Sequence, residues 1–178
     1  YQIDNNVFSR EIFRLMFEPL LENDPITLED RPGLADRWEI SEDKKVFTFH
    51  IDSRAKWSDG KPITSEDVVW SFEAVKDPNH LTGPLQSVIN RLVKIEALDP
   101  STVKIYADEV HWKNLQACSA FRILPKHWWK DQDFNKVNFE FPVVSGPYRL
   151  GQVSEPHFAR MEKRDDYWRV NSPELEGL

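Results

Sequence analysis

The hydrophobic pattern changes period twice between Val46 and Phe72. Val46-Phe47-Thr48-Phe49-His50-Ile51 is almost wholly β-branched and aromatic, the composition of a strand. Ser58-Asp59-Gly60-Lys61-Pro62 follows with turn chemistry: Gly60 reaches positive φ at little cost, and Pro62 blocks an early helix start. Beyond it, Val68, Val69, Phe72 and Val75 recur at helical spacing and predict a helix that buries one stripe. Thr64 stands where an N-cap belongs. Asp67 lies three residues on, close to a capping box, with its charge at the positive end of the helix dipole. Ile63 and Val68 have the spacing of a hydrophobic staple. The local signals agree, so the stretch reads as strand, turn and capped helix.

The flanking patterns extend this to an α+β fold with mostly antiparallel pairing. Ser9 to Glu22 predicts a helix with Ser9 as N-cap, burying Ile12, Phe13, Met16 and Leu20, and ended by Asp24-Pro25. Leu34 to Ile40 and Val46 to Ile51 flank a charged turn and predict a hairpin. The helix from Thr64 to Val75 gives way to a loop from Asp77 to Pro84. Val93, Ile95 and Ala97 alternate with Lys94 and Glu96. Val103, Ile105 and Ala107 alternate likewise after Asp99-Pro100-Ser101, so a second hairpin with one buried face is expected. Short helices are expected at Trp112 to Cys118 and Pro125 to Lys130, and a third strand pair at Val143 to Leu150 and His157 to Glu162. No internal repeat or low-complexity segment interrupts the chain.

Composition narrows the function classes. The 178 residues are 40% hydrophobic and 30% charged, as in a soluble globular chain. A net charge of −7 argues against DNA or anionic lipid as partner, since both need clustered Lys and Arg. Apolar runs of only a few residues span no membrane. The single cysteine, Cys118, allows no internal disulfide and no thiol cluster for zinc. The start at Tyr1 has neither the charged nor the apolar region of a signal peptide, which on its own points to the cytosol.

Catalytic and metal chemistry find little support. His50, His80, His111, His127 and His157 are scattered, with no pair at the helical metal-binding spacing. Ser145-Gly146-Pro147 lacks the frame of a nucleophile elbow, and Pro147 would spoil the helix that must follow. Glu66 and Asp67 point about 100° apart on a helix and cannot share a proton. Asp59-Gly60 lacks the alternating acidic ligands of a calcium loop. The six glycines form no phosphate cradle. No cofactor and no enzyme activity are expected. Seven tryptophans are the conspicuous excess. Core packing accounts for most of them. Trp128 and Trp129 are expected to be the exposed pair, and exposed indoles could stack on sugar rings or peptide side chains.

Six segments carry a family resemblance. Trp57 to Phe72 (WSDGKPITSEDVVWSF) resembles the signature region of the family-5 extracellular solute-binding proteins, the oligopeptide-, dipeptide- and nickel-binding receptors of bacterial ABC importers. Phe17-Glu18-Pro19-Leu20-Leu21, Pro32 to Trp38, Ile123 to His127, Ser145 to Tyr148 and Asp165 to Trp168 resemble further family elements, in family order.

The resemblance implies a periplasmic-binding-protein-like fold of type II, incomplete here because members run to several hundred residues. Residues 1–33 would begin a ligand-binding lobe, 34–140 form the peripheral α+β domain, and 141–178 return to the lobe. It implies capture of oligopeptides or a similar small solute in a cleft between lobes, for delivery to an ABC permease. The protein would be an exported monomer in the periplasm or cell-envelope exterior, with its signal removed, either free or lipid-anchored. The family holds its ligand partly through main-chain groups, which places Asn5, Asn6, Val7 and Phe8 before the first helix, and Ser145 and Gly146 in the crossing strand, as candidate ligand-binding residues. Gly146 would also permit close backbone approach. An oligosaccharide receptor of the same family and a non-transport interaction module are the alternatives.

Overall fold

A computed structural model describes residues 7–80, 82–119, 121–133, 135, 140–154 and 158–170. The first helix, α1, covers Val7–Met16, starting earlier and ending sooner than the apolar spacing predicts. Its end has a tertiary cause. The Glu18 N–H donates to the Ser145 hydroxyl (2.9 Å) rather than back into the helix, and Pro19 has no N–H to give. The Met16 carbonyl is taken by the N–H groups of Ser145 (3.1 Å) and Gly146 (2.8 Å). Leu21 and Glu22, assigned to the helix on periodicity, instead enter β1 (Leu21–Asn23), which pairs antiparallel with β2 (Asp30–Pro32). Asp24 closes this hairpin: its carboxylate accepts the N–H groups of Ile26 (2.8 Å) and Thr27 (2.9 Å).

Next come β3 (Ala35–Ile40), β4 (Val46–Ile51), α2 (Ser65–Lys76), α3 (Gly83–Ile89), β5 (Leu92–Asp99) and β6 (Thr102–Ala107). The four strands form one antiparallel sheet in the order β3-β4-β6-β5. Along β4, Phe47, Phe49 and Ile51 are buried, while Val46, Thr48 and His50 are half-buried on the other face. Val103 and Ile105 lie opposite Phe49 and Phe47 and are fully buried. Val68, Phe72 and Val75 of α2 complete this core. Each such side chain contributes about 1.5–3 kcal/mol on leaving water.

The alternation in β5 is misleading. Val93 is 56% exposed, because a register shift between Leu92 and Lys94 turns the edge strand and buries Leu92 instead. Helix α3 begins within the stretch read as loop; the Thr82 hydroxyl donates to the Val75 carbonyl (2.6 Å) and pins its start to the end of α2.

The remaining elements are α4 (Asn114–Ser119), α5 (Lys126–Trp129), and the hairpin of β7 (Tyr148–Ser154) and β8 (Phe158–Lys163). The expectation for the tandem tryptophans fails at Trp129, which is 2% exposed against Phe141, while Trp128 is half-buried. The exposed indole is Trp112, at 81%.

Candidate functional site

The signature turn works as a junction. The Gly60 φ of 84° lets the chain reverse, and the Trp57 N–H meets the Lys61 carbonyl across the turn (2.9 Å). Its residues then reach outward. The Ser58 N–H donates to the Val144 carbonyl (2.8 Å), the Val144 N–H donates to the Ser58 hydroxyl (3.0 Å), and Asp59 meets the His127 ring at 2.8 Å.

Asp67 extends the junction. Its carboxylate caps α2 by accepting the Thr64 N–H (2.9 Å), accepts the Lys126 N–H at the start of α5 (2.9 Å), and receives the Trp57 indole N–H at 3.4 Å. One turn along α2, Ser71 accepts the Leu124 N–H (2.9 Å). The signature helix and Ile123 to His127 are therefore one hydrogen-bonded unit.

The crossing from Val144 to Gly146 sits against the end of α1. Ser145 is fully buried, and its hydroxyl faces the Glu18 N–H. A side chain at Gly146 would meet the Leu15 carbonyl oxygen at 2.3 Å, so helix contact alone accounts for glycine there. Beneath the crossing, the Arg164 Nη1 donates to three successive carbonyls, those of Val144 (3.2 Å), Ser145 (3.3 Å) and Gly146 (2.8 Å), with Nε turned to Asp166 (3.1 Å). Of the other candidate residues, Val7 and Phe8 lie in the first turn of α1, whereas Asn5 and Asn6 fall outside the described residues. The crossing and the helix exit are thus brought together by Ser145, Gly146 and Glu18.

Glu18 was missed by pattern reading, although an acidic residue inside Met-Phe-Glu-Pro-Leu-Leu was a visible signal. It is 3% exposed. Its carboxylate accepts the Tyr167 hydroxyl (2.6 Å) and the Trp168 indole N–H (2.9 Å). Burial pushes this carboxyl up to about 7, against the opposing pull of the two hydrogen bonds and of the Arg169 charge. Burial and the Glu18 charge together push the Tyr167 hydroxyl up. Arg169, also missed, donates to the Pro32 and Gly33 carbonyls. Two guanidinium groups approach the Trp168 ring, that of Arg169 at 4.4 Å and that of Arg54 at 6.0 Å from its centroid.

Two further features complete the survey. An open groove of about 270 Å³ runs between α2 and α5, lined by Trp70, Glu73, Asp77, His80, Trp129 and Lys130 among others. Among the described residues, no group of three His, Cys, Asp or Glu side chains is placed to hold a metal ion, and no helix is long and apolar enough to cross a membrane.

Buried polar side chains thus tie the crossing segment to the end of α1. Residues 30–178 match the bacterial extracellular solute-binding proteins, family 5 Middle, and the chain belongs to this family. The probable peptide-binding protein YejA of Agrobacterium fabrum is 34% identical over 86% of the chain and 26% of its own length. The solved periplasmic oligopeptide-binding protein OppAIV of Borrelia burgdorferi superposes with a TM-score of 0.80 at 29% identity, over 96% of this chain and 37% of that one. A periplasmic oligopeptide-binding protein of Thermotoga maritima, solved with mannohexaose, gives 0.75 at 28% identity, over 89% and 29%. The fold is therefore part of the family-5 periplasmic binding protein fold. The chain spans 26–37% of the length of these three relatives.

Proposed function

We propose that this chain supplies the peripheral domain and part of one lobe of the substrate-binding component of an ABC importer, which captures oligopeptides or a similar small solute outside the cell membrane. The division at 1–33, 34–140 and 141–178 describes that arrangement. The reading is carried by the family match over residues 30–178. In it, Asn5 to Phe8 present main-chain groups to a cleft, while those of Ser145 and Gly146 are taken by Met16 and Arg164, and the ligand biases a monomeric two-lobed protein toward the closed form that docks on a permease. The hydrogen bonds on Val144 to Gly146 give the crossing a bracing role in this reading, since they hold it still and occupy its main-chain groups.

Calorimetric titration of a receptor of the relatives' length carrying this sequence, with di- to nonapeptides, tests the proposal. Saturable binding of one peptide per molecule is expected; heat of dilution alone would overturn it. The 178 residues by themselves should bind weakly, because they supply only one side of a cleft.

An oligosaccharide ligand is the second reading, favoured by the 81% exposure of Trp112 as a stacking platform. Quenching of tryptophan fluorescence by oligosaccharides but not by peptides would select it.

A further inference from the structure

We propose that Glu18 is a proton-operated latch, which docks the Tyr167–Arg169 segment onto the exit of α1 when its carboxyl is neutral and loosens that segment as the carboxyl ionises. This inference stands independently of the receptor reading.

The main chain of Glu18 cannot move freely. Its N–H is held by Ser145 (2.9 Å), and its carbonyl accepts the Ile123 N–H (3.1 Å). The side chain is therefore a fixed post, and the segment it holds is the one that docks. Both carboxyl oxygens are used, one by Tyr167 and the other by Trp168.

The surrounding charges leave the carboxyl without a contacting counter-ion. From the docked segment come Tyr167 and Arg169, but the Arg169 guanidinium donates to the Pro32 and Gly33 carbonyls. From β1, Glu22 adds a like charge. Arg54, beyond the Trp168 ring, pairs with Asp52, and Arg164 is committed to the crossing carbonyls and Asp166. Arg122 lies on the segment bridged through its backbone to Pro19. Among the described residues Glu18 makes no ion pair.

A buried carboxyl with neutral donors and no contacting cation favours its protonated form. That form keeps both links: the acid O–H donates to the Tyr167 oxygen, and the carbonyl oxygen still accepts from Trp168.

The direction of the response follows from linkage. The docked carboxyl titrates near 7, against an ordinary value of 4.5 when the segment is undocked. Docking is favoured fully below the ordinary value and weakens as pH rises through about 7. Between pH 5.5 and 8 the docking equilibrium should fall roughly 30-fold.

Hydrogen exchange of the amides from Arg164 to Val170, corrected for intrinsic rate, tests this on the whole chain. Protection in the wild type is expected to fall by about that factor between pH 5.5 and 8. In Glu18→Gln, whose amide mimics the neutral acid, it should stay level. A level wild-type profile, or an unchanged slope in Glu18→Gln, would overturn the latch. Should Glu18→Gln fail to fold, a carbon-13 titration of the wild-type Glu18 carboxyl decides. A midpoint near 7 supports the latch, and one near 4.5 sinks it.

Discussion

Ser58 and Val144 exchange two hydrogen bonds across 86 residues of chain: the Ser58 main chain donates to the Val144 carbonyl, and the Val144 main chain donates back to the Ser58 hydroxyl. The signature turn and the crossing therefore hold each other in place, although the strand expected from Val143 begins only at Tyr148. Replacing Ser58 by Ala removes the acceptor and strands the Val144 N–H. A loss of about 1–2 kcal/mol is expected in urea unfolding at constant m-value. Loss below a few tenths would show that water replaces the hydroxyl without cost.

Asp67 joins three segments with one carboxylate. Asp67→Ala leaves the Thr64 and Lys126 N–H groups without their acceptor and removes the cap of α2, so it should cost about 2–4 kcal/mol. Asp67→Asn retains one acceptor oxygen and should cost about half of that. Thermal unfolding of the two variants beside the wild type gives the ranking, and equal melting temperatures would contradict it.

Gly146 and Gly60 need glycine for opposite reasons, and alanine separates them. At Gly146 the added methyl meets backbone oxygen at 2.3 Å, so α1 or the crossing must shift. Roughly 3 kcal/mol or more of destabilisation is expected. At Gly60 nothing lies within 4 Å, and only the φ of 84° is unfavourable, so Gly60→Ala should lose about 1 kcal/mol. A Gly60 variant weaker than the Gly146 variant in denaturant titration would reverse the argument.

Arg164 gathers three carbonyls with a side chain only 2% exposed. Arg164→Met keeps an unbranched apolar stem but none of the donors and should cost about 3 kcal/mol. Its distinguishing readout is local. Amide exchange at Val144 to Gly146 should accelerate more than exchange in the β4–β6 pairing. Uniform acceleration would reduce Arg164 to a general stabiliser.

The Cys118 thiol is fully buried, and burial pushes it up, out of the range where thiolate forms at neutral pH. Its reaction with a disulfide reagent in native buffer should track global unfolding and jump in denaturant. Rapid labelling of the folded chain would show local opening of α4.

The stretch from Val46 to Phe72 could be read from sequence because its determinants are local. Strand composition, a glycine at positive φ, a cap and a staple all lie within a few residues of what they control. Elsewhere the deciding contact is distant. The end of α1 depends on Ser145 and Gly146 taking the Met16 carbonyl, and on β2 recruiting Leu21, neither of which periodicity contains. Val93 shares the alternation of Ile95, yet a register shift at the sheet edge exposes it. Trp128 and Trp129 look alike in sequence, and only Phe141 reveals which is covered. At the candidate site, Ser145 and Gly146 were visible as a motif. The glycine was read as room for a ligand, whereas its space is taken by α1. Glu18 stood in an apolar run that could have marked it, whereas Arg164 and Arg169 show no sign of burial until their partners are known.

The sheet order β3-β4-β6-β5 also governs how the chain is made. During synthesis the β3–β4 hairpin emerges with the inner edge of β4 bare, and its partner strand does not exist until Tyr106 has left the ribosome. For that interval the nascent protein presents an unfilled row of backbone donors and acceptors beside Phe47 and Phe49, an edge open to aggregation until β6 pairs with it.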